Sequence, residues 1–319
     1  MDAVAGLLDG PRARGAFLLR STLTAPWAMR IADEAPLTFL AVVRGGAVVV
    51  PDGAEPVRLE RGDACLLRGP DAYTVADDVA TEPQVHVLPG QRCVTPEGRE
   101  VVMRRHGVRT WGNAPDGGET ELLTGTYVLD GEVGGRLLRA LPPLAVVRAE
   151  ALESPLIALL AEEIVRDAPG QEAVLDRLLD LLLIAALRAW LSRDEAQAPG
   201  WYRAHDDPTV GHALRLLHDD PAHPWSVEEL AREAGISRAA LARRFNELVG
   251  EPPMAYLAGW RIALAADLLL EPGTTIGSVA DRVGYGSPYA LSTAFKRLRG
   301  VSPREHRAAA LLEATRAAA

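Results

Sequence analysis

The most regular hydrophobic pattern in this 319-residue chain lies near its C-terminus and occurs twice. In each copy a short run with apolar residues at helical spacing is followed by a glycine, a serine and a second apolar helical run. Residues three and four apart share one helix face, so each run predicts a helix. Glycine suits the left-handed end of the first helix, and serine can cap the second. Each copy therefore predicts a helix-turn-helix.

The two copies align residue by residue, with one extra residue in the second turn. An internal repeat of this kind indicates one supersecondary unit that is used twice. An ordinary pair of helical hairpins is the alternative interpretation, which the agreement in register disfavours. The equivalent pairs are Ala231 and Ala280, Gly235 and Gly284, Ser237 and Ser287, Leu241 and Leu291, Phe245 and Phe295, Gly250 and Gly300, and Pro253 and Pro303.

Earlier in the chain the pattern changes to short apolar runs separated by Gly, Pro and Asp. Such runs predict strands, and their close spacing predicts a barrel or sandwich. Residues 104–120 have few apolar side chains and predict a mobile loop. The predicted strands are 38–43, 47–50, 56–59, 64–67, 73–76, 84–88 and 121–129.

Two predicted helices, 155–167 and 171–193, separate the two patterns. The second has an apolar stripe wider than a helix with one small partner needs. We expect it to pair with a second copy of the chain, so that Leu179→Asp breaks a homodimer; packing against the barrel is the alternative. The whole pattern predicts an α+β chain with a β-barrel, a helical dimerisation segment and an all-α C-terminal domain.

The distribution of charge changes this picture more than the total does. The net charge of -9 is unusual for a protein that binds nucleic acid. Residues 1–200 carry 29 acidic and 20 basic side chains, whereas 237–307 carry 6 acidic and 10 basic ones. An acidic N-terminal half cannot attract phosphate, so any nucleic-acid contact belongs to the repeated C-terminal segment.

Nothing in the sequence predicts export or membrane insertion. We find no apolar run of 18 residues, and the first residues lack the basic start of a signal peptide. Two cysteines do not make a disulfide framework. We therefore expect a cytoplasmic protein with no membrane partner.

The C-terminal repeat resembles the DNA-binding domain of the AraC/XylS family of bacterial transcription regulators. The resemblance covers residues 207–307 and is carried most clearly by the stretch from Gly284 to Arg307, GYGSPYALSTAFKRLRGVSPREHR. It implies two helix-turn-helix units joined by a long helix, here 254–270. Their second helices would enter successive major-groove faces of operator DNA, about 34 Å apart.

The N-terminal part resembles the cupin-type effector domain that precedes such DNA-binding domains. The residues that carry this resemblance are Pro26–Trp27, Val43–Gly46, Leu59–Leu67, Leu122–Tyr127 and Leu137–Pro142. It implies a small-molecule effector in the barrel. The expected divisions are an effector domain (1–143), a dimerisation segment (144–193), a linker (194–206) and a DNA-binding domain (207–311).

Metal-dependent cupin enzymes use a His-x-His pair, a carboxylate and a further histidine. No His-x-His occurs here, and Tyr73 stands where the later histidine is expected. We therefore expect no metal, no cofactor and no catalytic residue. A metal-dependent cupin enzyme fused to a DNA-binding module remains the alternative, and an architectural DNA binder without a ligand is a third hypothesis.

The candidate effector-binding residues are Trp27, Phe39, Tyr73 and His86, because a barrel mouth is a common ligand site. The first two can equally be core residues, and His86 a hydrogen-bonded strand histidine. Cys65 is expected in the core. Cys93 follows Arg92, and an arginine neighbour can lower a thiol pKa, so redox sensing there is a hypothesis.

Four histidines follow the helical segment at spacings that fit no zinc motif, so we expect surface residues. They are His205, His212, His218 and His223.

The outward positions of the second helix in each copy are the candidate DNA contacts. Arg243 is the best candidate for a bidentate guanine contact. Phosphate contacts are expected from Arg244, Lys296, Arg297, Arg304 and Arg307. The family often has arginine where Thr293 stands. The candidates are Arg238, Ala239, Ala242, Arg243, Arg244, Ser287, Pro288, Tyr289, Ser292, Thr293, Lys296, Arg297, Arg304 and Arg307.

Overall fold

The computed structural model describes residues 18–101, 109–114, 117–127, 131–152, 155–192 and 200–317. Within them the chain divides into two compact units. We call the first the N-terminal unit; it holds the described residues of 18–127 and 138–192. The C-terminal unit holds 200–317 together with Gly131–Leu137.

Two six-stranded sheets form the N-terminal unit. The strands are β1 (Leu18–Leu23), β2 (Ala28–Ile31), β3 (Leu37–Arg44), β4 (Gly46–Pro51), β5 (Val57–Glu60), β6 (Ala64–Arg68), β7 (Tyr73–Ala76), β8 (Val85–Leu88), β9 (Arg92–Val94), β10 (Thr110–Gly112), β11 (Thr120–Tyr127) and β12 (Leu144–Val147). One sheet has the order β10-β1-β11-β3-β6-β12 and the other the order β5-β4-β7-β2-β8-β9.

The core of this unit lies between the sheets and follows the two-residue period of a strand. Alternate residues of β3, Leu40 and Val42, face Val49 and Val75 from the other sheet in one buried cluster. Cys65 lies in the same cluster and is fully buried, as expected for a core cysteine. Packing between two apolar sheet faces is what makes these short runs strands.

Four helices accompany the sheets in sequence: α1 (Gly131–Ala140), α2 (Ala149–Leu152), α3 (Leu156–Glu163) and α4 (Gln171–Leu191). Helix α4 covers the outer face of β11, where the Tyr127 hydroxyl donates to the Leu179 carbonyl at 2.8 Å. Leu179 is 1% exposed, so the expectation that Leu179→Asp breaks a dimer is corrected. That residue belongs to the fold of its own unit.

All seven predicted strands are present, but the predicted loop 104–120 is only partly described. Trp111 and its neighbours form β10, which pairs in parallel with β1 through Arg20 and Thr110. The expectation of a mobile loop is therefore wrong for 110–112. Residues 102–108 and 115–116 lie outside the described residues.

The C-terminal unit is helical. Its helices are α5 (Gly200–Arg203), α6 (Val210–Asp219), α7 (Val227–Glu233), α8 (Arg238–Val249), α9 (Pro253–Leu268), α10 (Ile276–Arg282), α11 (Pro288–Arg299) and α12 (Pro303–Ala317). Helix α9 supplies Tyr256 and Leu257 to one core cluster and Ile262 and Ala266 to the other. Each cluster also holds one copy of the repeat, so α9 supports both.

Two expectations for this unit are corrected. Ala204, placed in the predicted linker, is fully buried in the first cluster of the C-terminal unit. His218, expected at the surface, is 8% exposed and lies 2.8 Å from the Tyr256 hydroxyl through Nε2. A histidine on the inner face of α6 is buried because that face packs on α9.

Candidate nucleic-acid interface and ligand cavity

The first helix-turn-helix comprises α7, the turn and α8. Ser226 caps α7 by accepting from the Glu229 N–H, and Ser237 caps α8 by accepting from the Ala240 N–H at 3.2 Å. Such caps satisfy N–H groups that a helix start leaves free. Leu241 and Phe245, one turn apart on α8, are fully buried, so the opposite face of α8 is turned outward.

The second helix-turn-helix, α10 and α11, repeats this construction. Thr275 and Ser278 form a capping box at the start of α10, and Ser287 caps α11 by accepting from the Ala290 N–H. Gly284 has φ +77°, and a Cβ there would lie 2.4 Å from the Ala222 carbonyl oxygen. The turn therefore needs glycine both for its left-handed backbone and for the close approach of this loop.

The outward face of α8 presents arginine and alanine. Arg238, Ala239 and Arg243 are exposed, and Ala242 is half-buried. The side chain of Arg243 is 76% exposed, and its Nε lies 3.8 Å from the Glu247 carboxylate. A pair that long and that exposed is weak, so the guanidinium of Arg243 remains available to a ligand.

Arg244, predicted to contact phosphate, is held by a carboxylate instead. Its Nε and Nη2 donate to Asp207 Oδ2 at 2.8 and 2.5 Å. Burial opposes ionisation of Asp207, but Arg244 and the N–H groups of Val210 and Thr209 outweigh it and lower its pKa. The sequence could not show this partner, which lies 37 residues away.

The outward face of α11 is chemically different. Tyr289 is 82% exposed, Thr293 is exposed, and the Ser292 hydroxyl donates to the Pro288 carbonyl of its own helix. Ser287 uses its side chain for the cap. The outward face of α11 therefore offers the Tyr289 ring and the hydroxyl and methyl groups of Thr293, whereas α8 offers guanidinium groups.

Free cations follow at the end of α11 and at the start of α12. Lys296, Arg297 and Arg304 are exposed, and no described residue lies within ion-pair distance of them. Arg307 is different, because it donates to the carbonyls of Leu269 and Thr274. The predicted phosphate contact of Arg307 is therefore corrected: its side chain fastens α12 to the end of α9.

A cavity of about 420 Å³ lies inside the N-terminal unit. Its walls are mostly apolar, with a few polar side chains among them. Of the four predicted effector residues it includes only Tyr73, whose pKa is raised by burial. The lining residues are Leu18, Leu19, Ser21, Met29, Ile31, Asp33, Leu40, Tyr73, Val75, Val87, Gln91, Cys93, Arg109, Thr110, Trp111, Leu122, Thr124 and Thr126.

Strand alternation explains why two of the other three effector candidates, Phe39 and His86, miss the cavity. Leu40 lines it, so its neighbour Phe39 points to the opposite face of β3 and is fully buried there. Val87 lines it, and His86 precedes Val87 on β8. Trp27 is buried in the core cluster between the sheets. These three positions are corrections to the expected site.

Unusual backbone conformations surround the polar part of the cavity. In the described part of the chain the non-glycine residues with left-handed φ are Glu34, Gln91 and Arg109. Gln91 and Arg109 line the cavity, and Glu34 follows the lining residue Asp33. Strain of this kind collects at binding sites, where the surrounding structure holds it in place.

Cys93 also lines the cavity, as a half-buried residue of β9. Burial raises the pKa of its thiol, which is opposite to the lowering expected from Arg92. A less ionised thiol is a poorer nucleophile towards oxidants. The structure therefore gives no support to redox sensing at Cys93.

In the part of the chain that the structure describes, no group of three or more His, Cys, Asp or Glu side chains is arranged to hold a metal ion. None of the described helices has the length and apolar character needed to cross a membrane.

Comparison with known proteins gives two family matches. A profile described as a cupin matches residues 2–192, and one described as a helix-turn-helix domain matches residues 230–309. An AraC-like transcription regulator of Streptomyces antibioticus is 35% identical over 298 residues, which cover 91% of this chain and 93% of the relative.

Two further proteins show the same likeness. An AraC-like transcription regulator of Streptomyces lividans is 35% identical over 287 residues, covering 88% of this chain and 90% of the relative. The DNA-binding domain of AdpA, solved in complex with a target DNA, is 34% identical, with a TM-score of 0.31. That match covers 32% of this chain and 91% of the AdpA domain.

Proposed function

Because the chain belongs to the AraC-like transcription regulators, with a cupin domain before its helix-turn-helix domain, we propose that it binds double-stranded operator DNA in response to a small molecule. The similar relatives carry the names of regulators, and we propose that the chain acts by binding and not as an enzyme. We propose that it acts in the cytoplasm, where a bacterial regulator meets its DNA.

One observation carries the DNA-binding part of the proposal. Helices α8 and α11 are both 12 residues long, both begin at a capping serine, and both bury a leucine and a phenylalanine on the inner face. Each therefore turns a short polar outer face to solvent. An exposed helix of this size fits the major groove of B-DNA.

We propose different roles for the exposed side chains. Arg238 and Arg243 would contact base edges from α8, with Ala239 and Ala242 allowing close approach. From α11, Tyr289, Ser292 and Thr293 would contact bases or thymine methyl groups. Lys296, Arg297 and Arg304 would contact phosphates, while Arg244 and Arg307 act within the protein.

The cavity of the N-terminal unit is the proposed effector site. Its volume of about 420 Å³ lies in the range of small-molecule pockets, and its walls combine apolar strands with Asp33, Gln91 and Arg109. These polar side chains would orient a largely apolar ligand through its polar groups. An effector would act by favouring one arrangement of the chain over another, which is a population shift.

We also propose a homodimer formed through the exposed side of α3 and α4. Leu159, Val174 and Leu181 are between 46% and 50% exposed, which is unusual for large apolar side chains on helices. Leu181→Asp should lower the sedimentation coefficient of the full chain to that of a monomer while leaving its circular dichroism unchanged. Val79→Asp, at a 62% exposed loop residue, is the matched control. An unchanged sedimentation coefficient for Leu181→Asp would refute this interface.

The experiment that tests the proposed function is selection of DNA fragments from the source genome by the purified full chain. Fluorescence anisotropy then compares the recovered fragment with a shuffled fragment at one fixed salt concentration. Specific binding about 10³-fold or more tighter than binding to the shuffled fragment is the expected result. Equal affinity for the two fragments would overturn sequence-specific regulation.

A further inference from the structure

The C-terminal unit contains a segment that comes from the other half of the sequence. Gly131–Leu137, the first seven residues of α1, packs with this unit, although it lies in the sequence between strands β11 and β12 of the N-terminal unit. Val133 is 5% exposed in a small core cluster with Trp260 and Ala263 of α9. We call Gly131–Leu137 the docked segment.

Asp267, near the end of α9, holds the start of the docked segment. The Glu132 N–H donates to Asp267 Oδ1 at 2.6 Å, and the Val133 N–H donates to Oδ2 at 3.1 Å. Both carboxylate oxygens thus accept from the first turn of α1, where free N–H groups and the helix dipole favour a negative charge.

Gly131 fits this contact in a way that other residues do not. Its φ is +89°, and a Cβ at this position would lie 2.4 Å from Asp267 Oδ1. Any side chain would therefore meet both a strained backbone and the carboxylate. The fit explains why the docked segment begins with glycine.

An ion pair joins the docked segment to α11, the second helix of the second helix-turn-helix. Arg299, the last residue of α11, donates from Nη1 to Glu132 at 2.6 Å, and the two side chains are only 23% and 26% exposed. Arg299 lies four residues after the buried Phe295, on the inner side of α11. It is therefore placed to hold the helix and not to face DNA.

A cation–π contact completes the docking surface. The guanidinium carbon of Arg136 lies 5.8 Å from the Trp260 ring and 5.9 Å from the Tyr256 ring. Gly259 leaves space for it, because a Cβ there would lie 2.8 Å from Arg136 Nη2. Arginine over partly desolvated aromatic rings contributes more than it does at an exposed site.

We propose that this surface of the C-terminal unit is a docking site for Gly131–Leu137, through which the N-terminal domain controls α11, the proposed recognition helix of the second helix-turn-helix. The segment contacts α9 at Trp260 and Asp267 and α11 at Arg299, so it fixes one helix against the other. Docking holds α11 in the position that contacts DNA, and release loosens α11 more than α8, because the segment touches α11 directly at Arg299 and reaches α8 only through Tyr256. The inference rests on the proposed function.

The test uses four variants of the full chain. Gly131→Ala and Glu132→Arg should release the segment, the second by opposing Arg299. Glu132→Arg combined with Arg299→Glu should restore the pair with its charges exchanged. Glu271→Arg is the control, because it makes the same charge change at the exposed Arg282–Glu271 pair, away from the segment.

Two measurements separate docking from DNA binding. Hydrogen exchange at the amides of Glu132 and Val133 should accelerate about tenfold in the releasing variants and recover in the double variant. Affinity for the selected DNA should fall about fivefold relative to the Glu271→Arg control, with recovery in the double variant. DNA in which the half of the site contacted by α11 is scrambled should be bound with equal affinity by all four variants.

The outcomes are distinguishable. Unchanged exchange in the releasing variants, or no recovery in the double variant, overturns the docking. Accelerated exchange with unchanged affinity for the selected DNA overturns the control of α11. Failure of the unmodified chain to bind any DNA selectively overturns the proposed function, while the exchange measurement still reports on docking.

Discussion

The two helix-turn-helix units share one scaffold but present different chemistry. At equivalent outward positions Arg238, Ala239, Ala242 and Arg243 of α8 correspond to Pro288, Tyr289, Ser292 and Thr293 of α11. The inner positions are the same leucine and phenylalanine in both. A duplicated fold has thus kept its core, which packing constrains, and changed the face that packing leaves free.

Charge differs in the opposite sense at the ends of the two helices. Lys296 and Arg297 of α11 correspond to Asn246 and Glu247 of α8. The first helix-turn-helix therefore has its cations at the positions that we propose face bases, and the second has them at the positions that we propose face phosphates. This difference suggests that α8 supplies most of the sequence discrimination and α11 more of the general affinity.

The largest effect should come from the shared core. Phe245 and Phe295 are both fully buried, so replacing either with alanine should lower the free energy of unfolding of its unit by about 3–5 kcal/mol. Thermal unfolding followed by circular dichroism measures both variants. A clearly smaller loss for Phe295→Ala would show that the two scaffolds are not equivalent.

The next largest effects should come from substitutions on the outward faces of α8 and α11. Arg243→Ala should cost about 1–3 kcal/mol of discrimination between the selected site and shuffled DNA, because a bidentate base contact is lost. Thr293→Ala should cost less than Arg243→Ala. Anisotropy titrations at one salt concentration compare them, and equal losses would break the proposed division of roles.

Lowering the pH should destabilise the first helix-turn-helix more than the second. The pKa of Asp207 is lowered in the folded state, so its pairing with Arg244 stabilises above the unfolded pKa of about 3.9 and is lost as pH falls below it. In the second helix-turn-helix the residue equivalent to Arg244 is Ala294, which cannot form such an ion pair. Asp207→Asn should lower the Tm at neutral pH, and the difference from the unmodified chain should shrink from about pH 5 to pH 2. A difference that is independent of pH would contradict this role of the carboxylate.

The smallest effect should be on salt dependence. Arg304→Ala should weaken binding to selected and shuffled DNA alike and reduce the slope of log affinity against log salt by about one. Arg307→Ala, three positions later on α12, should instead lower the Tm, because Arg307 donates to the end of α9. A changed salt slope for Arg307→Ala would return that residue to the DNA interface.

The repeat and the strand pattern could be predicted because they depend on local periodicity. The strands containing Leu40, Val49 and Val75 are short apolar runs bounded by turn residues, and each copy of the repeat carries its own caps. Short edge strands such as β10 and β12 could not be predicted in this way. Trp111 becomes part of a strand only because β1 lies beside it.

The site was harder to predict wherever a contact joins distant parts of the chain. Arg244 and Arg307 are the residue type that commonly contacts phosphate. Only the fold shows that their guanidinium groups already donate to Asp207 and to the Thr274 carbonyl. In the barrel, an error of one residue along a strand selects the wrong face, which separates Phe39 from Leu40. Asp33 and Gln91 line the cavity without any sequence pattern that marks them.

The central claim is that both helices read one duplex, with α8 discriminating between sequences. Hydroxyl-radical footprinting of the full chain on its selected site tests this directly. The account predicts two protected patches on one face of the duplex, about 10 base pairs apart, with Arg243→Ala weakening only the patch that α8 covers. A single patch, or equal weakening of both patches by Arg243→Ala, would contradict it.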